Sequence, residues 1–150
     1  MKIRFQILTL FLLCFLLGNG CNKQKLPADL PRLYPCKITI KDKEGNPMPT
    51  VIVSVNPEDK GNRWGASGET NASGVAEIFT AGLYRGLSSG KYRVTLTRLE
   101  HTKTGRFDDT GAEIVESKNL IPDEYVHSAQ TPFLFEMGTK AVTETFHLEK

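Results

Sequence analysis

From residue 36 onward the chain is written in short alternating runs. In CKITIKD, Cys36, Ile38 and Ile40 fall on one side of an extended backbone, and Lys37, Thr39 and Lys41 on the other. Successive side chains of a strand point to opposite faces, so this alternation marks a strand with one face buried. The same rule gives strands in TVIVSVNP (Val51, Val53 and Val55 together), in GET and VAEIF on either side of the turn NASG, and in KYRVTLTR (Tyr92, Val94, Leu96). It gives two more in TPFLFEM (Phe133, Phe135, Met137) and AVTETFHLEK (Val142, Phe146, Leu148). Clusters of Gly, Pro, Asn and Asp separate the runs, as turns require. One-faced strands must pack face to face or close into a barrel. The expected fold class is all-β, a seven-stranded sandwich over residues 36–150.

Two stretches break the pattern. Leu99–Gln130 has little alternation; a connection of that length points to function or disorder. Within it, AEIVES could add a short strand at Ile114 and Val115, and Pro122–Val126 one helical turn with proline at its first position. The second is the polar stretch Glu58–Ser67. On this reading the contacts of the protein are made by loops at one end of the sandwich, chiefly these two.

The first residues, MKIRFQILTLFLLCFLLGNG, follow a different rule. Lys2 and Arg4 precede an apolar run from Phe5 to Leu17, then Gly18, Asn19, Gly20 and Cys21. The run has the length of a secretory signal core and is too short to span a bilayer, which takes roughly 20 apolar residues. The junction resembles the lipobox of bacterial lipoproteins, although Leu17 stands four residues before the cysteine rather than three. That resemblance implies cleavage after residue 20 and acylation of Cys21. The alternative is an ordinary secretory signal with Cys21 a free thiol. Residues 21–35, with Pro27, Pro31 and Pro35, then read as a semi-rigid tether. Two or more acyl chains hold a protein stably at a bilayer where one holds marginally. The expected address is the bacterial cell envelope, lipid-anchored, at the outer membrane rather than the inner.

Cleavage there changes the charge and the cysteines. The chain has 19 Lys and Arg against 17 Asp and Glu. Loss of Lys2 and Arg4 leaves these balanced, and a nucleic-acid partner would leave a basic excess. Cys14 leaves with the signal and Cys21 is acylated, so Cys36 has no disulfide partner. It is either a reactive thiol or, given its place opposite Lys37, a small buried hydrophobe.

The stretches KDKEGNPMPTVIVSV, GETNASGVAEI and GLSSGKYRVTL resemble the carboxypeptidase regulatory-like domain of transthyretin-like β-sandwiches. The matching residues are Asp42, Gly45, Pro47, Val51, Val53, Thr70, Gly74, Gly90, Tyr92, Val94 and Leu96, within Cys36–Arg98. Gly45 and Gly74 are expected at positive φ in tight turns. The chain departs from the pattern at Pro49-Thr50, where the family has Gly-Ala. The tail, IPDEY at 121–125 followed by two closing strands, looks like that of small bacterial lipoproteins. The resemblance implies a Greek-key sandwich and an envelope address. The anchor, the tether and the lack of an assembled catalytic set point to a non-catalytic binding or structural module with an envelope protein as partner; the alternative is a module that binds a glycan of the cell wall.

Candidate chemistry is sparse, and neither a metal nor a cofactor is expected. Tyr84-Arg85-Gly86 is similar to the ending of transthyretin-like hydroxyisourate hydrolases, but lies mid-chain and is followed by Leu87 rather than Ser. A hydrolase of that type would draw on Arg85 and His127. His101, His127 and His147 lie too far apart in sequence for a His-x-His or His-x-x-x-His pair. Asp108 and Asp109, with Glu113 and Glu116, offer hard oxygens for calcium, without the spacing of a calcium loop. Trp64, beside Arg63 in GNRWGASG, is either an exposed anchor for a sugar or protein or a ring folded over the sandwich edge. The candidate binding loop is therefore Trp64, Arg63, Asp108 and Asp109.

Overall fold

The alternation in CKITIK becomes strand β1 (Cys36–Lys41), with Cys36, Ile38 and Ile40 buried and Lys37 exposed. In the computed structural model residues 26–149 are described. The expected leader 1–20, Cys21 and the first tether residues lie outside them. The chain divides into two units, Met1–Leu30 and Pro31–Lys150. In the first, residues 26–30 make a turn in which the Leu30 N–H donates to the Pro27 carbonyl at 3.1 Å.

After β1 come β2 (Ile52–Pro57), β3 (Ala66–Glu69), β4 (Val75–Glu77), β5 (Phe79–Thr80), β6 (Tyr84–Arg85) and β7 (Gly90–Thr97). Then follow β8 (Leu99–Phe107), β9 (Glu113–Asn119), helix α1 (Asp123–Val126), β10 (Leu134–Met137) and β11 (Val142–His147). One sheet has the order β11-β1-β4, with β1 parallel to β11 and antiparallel to β4. The other runs β10-β7-β2-β3-β5-β6. Their apolar faces share one core, in which Ile38, Ile40 and Ala76 of the first meet Val53, Val55, Val94 and Leu96 of the second, all fully buried. The protein is all-β, a two-layered arrangement as one-faced strands require.

Each of the seven alternating runs contains a strand. VAEIF contains two, because the run changes sheets: Val75–Glu77 pairs with β1, and Phe79–Thr80 with β3. Backbone pairing also starts before the expected domain boundary, where Tyr34 and Leu87 exchange hydrogen bonds of 2.8 and 2.9 Å. The larger difference is Leu99–Gln130. Instead of an irregular connection it contains a two-stranded hairpin, β8 with β9, that runs straight on from β7. Ile114 and Val115 do lie in a strand, but one of seven residues. The helical turn is present, with Pro122 as its N-cap at ψ 142° rather than its first helical residue.

The turns at Gly45 and Gly74 take the positive φ expected of them, +87° and +72°. At the departure from the pattern, Thr50 sits at φ +58°, a conformation that costs an L residue about 1–2 kcal/mol. Buried Thr70 holds it there: its hydroxyl donates to the Met48 carbonyl at 2.7 Å and accepts from the Val51 N–H at 2.8 Å. Its carbonyl accepts from the Thr50 N–H at 2.9 Å.

Gly86 is the tightest of these positions. It has φ +101°, and a Cβ added there would overlap the Tyr34 carbonyl oxygen. Gly82, at φ +70°, has open space around it. Gly86→Ala should therefore lose about 2–4 kcal/mol, combining backbone strain with overpacking. Gly82→Ala should lose only the strain, about 1–2 kcal/mol. Urea unfolding of the two variants reads the difference; equal losses would mean that the Tyr34–Leu87 seam yields freely.

Candidate functional site

Because Val53, Val55, Val94 and Leu96 take the inner face of β2 and β7, their polar neighbours line the outer face. There Ser54 stands opposite Thr95, and Asn56 opposite Arg93. The segment after α1 lies over this ladder. Buried Thr131 holds it by donating its hydroxyl to the Val94 carbonyl at 2.7 Å. Between ladder and segment lies a solvent-open cleft of about 560 Å³, lined by Ser54, Asn56, Thr95, Val126, His127, Ser128 and Ala129. At its margin Arg93 pairs with Glu58 at 3.0 Å and donates to the Ser128 carbonyl at 3.4 Å. Inside, Asn56 donates to the Thr95 hydroxyl at 3.4 Å. The lining combines three hydroxyls, one amide and one imidazole with the apolar Val126 and Ala129, which suits hydrogen bonding to a neutral, hydroxyl-rich ligand. Sequence patterning did not single it out, since alternate polar residues on a strand look like any solvated face.

Trp64 belongs to the loop 58–65 between β2 and β3. It is half-buried, and the Arg63 guanidinium lies 5.2 Å from its ring centre, within cation–π range. Asn62 pins the loop: its side chain donates to Ser88 at 3.2 Å and Tyr92 at 3.4 Å, and accepts from the Trp64 N–H at 3.0 Å. Nothing in GNRWG marks Asn62 as that pin, because both of its side-chain partners are more than twenty residues away.

Asp108 and Asp109 lie at the tip of the β8–β9 hairpin, on exposed backbone. Asp108 organises the tip turn. One of its carboxylate oxygens accepts from the Thr110 hydroxyl at 2.7 Å, the Thr110 N–H at 2.8 Å and the Ala112 N–H at 3.0 Å. The Thr110 hydroxyl first, then these amides, hold its carboxyl below the usual range. Glu113 pairs with Lys103 at 3.0 Å and Glu116 with Arg106 at 2.8 Å. Asp108, Glu113 and Glu116 are thus engaged in a turn and in cross-strand pairs. Among the described residues no three His, Cys, Asp or Glu are arranged to hold a metal ion.

The expectation that both loops work at one end of the sandwich is corrected for the β8–β9 hairpin, while the later part of Leu99–Gln130 returns to the side of loop 58–65, where Arg93 contacts both Glu58 and the Ser128 carbonyl. Loop 58–65 adjoins the start of β7, through the Glu58 N–H donating to the Lys91 carbonyl at 2.9 Å. The hairpin leaves from the other end of β7. The two are separated by the length of that strand, about 23 Å. Trp64 and Arg63 therefore do not share a site with Asp108 and Asp109. Arg85 and His127 are also apart. Arg85, paired with Glu77, lies on β6, three strands across from β2, while His127 lies over β2 and β7.

No family model matches the chain, and no curated protein matches it. Among solved structures it is similar to a 9R-lipoxygenase from Cyanothece PCC8801, with a TM-score of 0.41 and 15% identity, over 85% of this chain and 18% of that one. It is also similar to BcpA, the major pilin subunit of Bacillus cereus, with a TM-score of 0.45 and 15% identity, over 81% of this chain and 31% of that one. The chain thus spans less than a third of either.

Cys36 is 1% exposed, at the start of β1. Burial, with a further contribution from the Glu144 carboxylate, pushes its thiol up to about 12. A thiol reacts as its thiolate, so Cys36 should resist maleimide in the native protein at pH 8 and label fully once unfolded. The linkage follows in sign: the folded state holds this proton more tightly than the unfolded chain. The thiol's contribution to stability is complete below pH 9 and declines as pH rises from 9 towards 12. Denaturant titrations over that interval should show a shallower fall for Cys36→Ala than for the parent. Parallel curves would place the thiol in water.

Proposed function

We propose that this chain is a lipid-anchored, non-catalytic binding module of a bacterial cell envelope. On this reading Cys21 is acylated and holds the protein at the outer membrane. The folded unit is a transthyretin-like Greek-key sandwich of the carboxypeptidase regulatory-like kind. The observation that carries it is the β8–β9 arm. Leu99, Phe107, Ile114 and Val115 are 48%, 66%, 38% and 47% exposed on it, and Leu120 at its root is 42% exposed. A hairpin wetted on both faces is marginal by itself, and apolar side chains held out in water gain free energy on contact with another macromolecule. A tethered domain with such an arm is built for contact.

The second reading is a module for glycans of the cell wall. The neutral cleft of Ser54, Asn56 and Thr95 favours it, with Trp64 as a separate stacking ring.

Two measurements test these readings. Intact mass of protein extracted from membranes should match cleavage before Cys21 with acyl chains added, and Cys21→Ser should move the protein into the soluble fraction. A variant as firmly membrane-bound as its parent would end the anchored reading. On a glycan array the binding-module reading expects no reproducible signal. Binding lost in Asn56→Ala or Trp64→Ala would replace it with the second.

A further inference from the structure

The β8–β9 arm has two free strand edges, and they differ. On β8 the register slips between Lys103 and Phe107, and Gly105 sits there at φ +69°. Bulges and glycines of this sort blunt an edge against further pairing. On β9, Glu113–Asn119 runs for seven residues without Gly or Pro, and 114–118 are all exposed. An open edge of that length is a template for another strand.

The side of β9 that faces outward follows from its root. The Leu120 N–H donates to the Arg98 carbonyl at 2.8 Å, in step with the register that sets Leu99 opposite Asn119. Bonding alternates along an antiparallel pair. Ile114, Glu116 and Lys118 therefore turn their backbone groups toward β8, while Glu113, Val115, Ser117 and Asn119 turn theirs away. The outward row is unpaired within the arm.

We infer that β9 pairs antiparallel with β9 of a second copy of this chain, about a two-fold axis at Ser117. This rests on reading the arm as the contact surface and names its partner. The register is selected by charge. With the axis at Ser117, Glu116 faces the second copy's Lys118, and Lys118 faces its Glu116. Ile114 and Leu120 meet in the same reciprocal way, on the same face as the charges. These are the non-hydrogen-bonded positions, where side chains come closest. An axis at Glu116 or Lys118 would set like charges together, and one at Val115 would set Glu116 against Ile114. Among the seven residues of β9, Ser117 alone brings opposite charges face to face. The two Ser117 residues exchange both backbone bonds, and a small side chain at the axis lets the strands approach. The product is a four-stranded sheet in place of two exposed hairpins.

Residues exchanging both bonds have Cα atoms about 5.5 Å apart, a separation a disulfide spans. Ser117→Cys in the full-length chain, oxidised in whole cells, should give a disulfide-linked species of twice the chain mass on non-reducing gels. Thr102→Cys, exposed on the other strand of the arm, sets the level of random collision. Adding Lys118→Glu to Ser117→Cys makes both charge pairs like-signed and should lower the yield about tenfold, while Lys118→Arg should keep it. A Ser117→Cys yield no higher than that of Thr102→Cys would overturn the inference, as would a yield indifferent to Lys118→Glu. A cross-link to a chain of different mass would also overturn it, leaving the binding-module reading intact with another partner.

Discussion

The two layers are joined by a change of sheet at Ile78. Its N–H donates to the Cys36 carbonyl in the β1 layer at 3.1 Å, and its carbonyl accepts from the Gly86 N–H at 2.8 Å. Its side chain is fully buried between them. One extended run, Val75–Thr80, thus serves as an edge of one sheet and an interior strand of the other. The backbone groups of a run crossing a core must be paired, and here each layer supplies one partner. Two glycines make the crossing sterically possible. A Cβ at Gly68 would overlap the Glu77 carbonyl oxygen, and one at Gly86 the Tyr34 carbonyl oxygen. The close approach of β3 to β4, and of residue 34 to the β6–β7 connection, therefore depends on hydrogen at those two positions.

The rest of the packing follows from that junction. Because β1 is held on one side by β4, its other side accepts β11 in parallel, which brings Phe146 into the core. Phe146 stacks on Phe133 at 4.7 Å, and Phe133 on Tyr125 of α1 at 4.9 Å. This aromatic row links the last strand to the segment that roofs the polar cleft on β2 and β7. The cleft is thus shaped by core packing from beneath as well as by its own hydrogen bonds.

Alternation made the strands legible wherever one face is buried, because burial is what writes the pattern. Cys36, Ile38, Val53, Val55, Tyr92, Val94, Leu96 and Met137 were all readable for that reason. The change of sheet inside VAEIF was not, since both halves have inward residues at the same period. The β8–β9 arm was illegible for the opposite reason: LEHTKTGRF buries neither face, so no periodic constraint acts on its composition. The candidate site was less legible still. Trp64 and Asp108 attract notice as residue types, yet what matters about them is long-range. Asn62 reaches Ser88 and Tyr92, and the length of β7 separates the two loops. Spacing along a chain does not encode which end of a strand a loop will occupy.

The arm also shows how little is needed to hold an exposed hairpin in shape, and how little that secures. Its root is fixed by the Asn119 side chain, which accepts from the Arg98 N–H at 3.0 Å and the Ile121 N–H at 3.2 Å. Its tip is fixed by Asp108. Between them Lys103–Glu113 and Arg106–Glu116 cross the strands, but ion pairs this exposed contribute little. With no core beneath it, the arm has few buried contacts to oppose local opening, which places it at the low end of the stability range within the fold. The buried residues of the core all lie outside β8 and β9. Changes confined to β8 and β9 therefore remove no residue of the core.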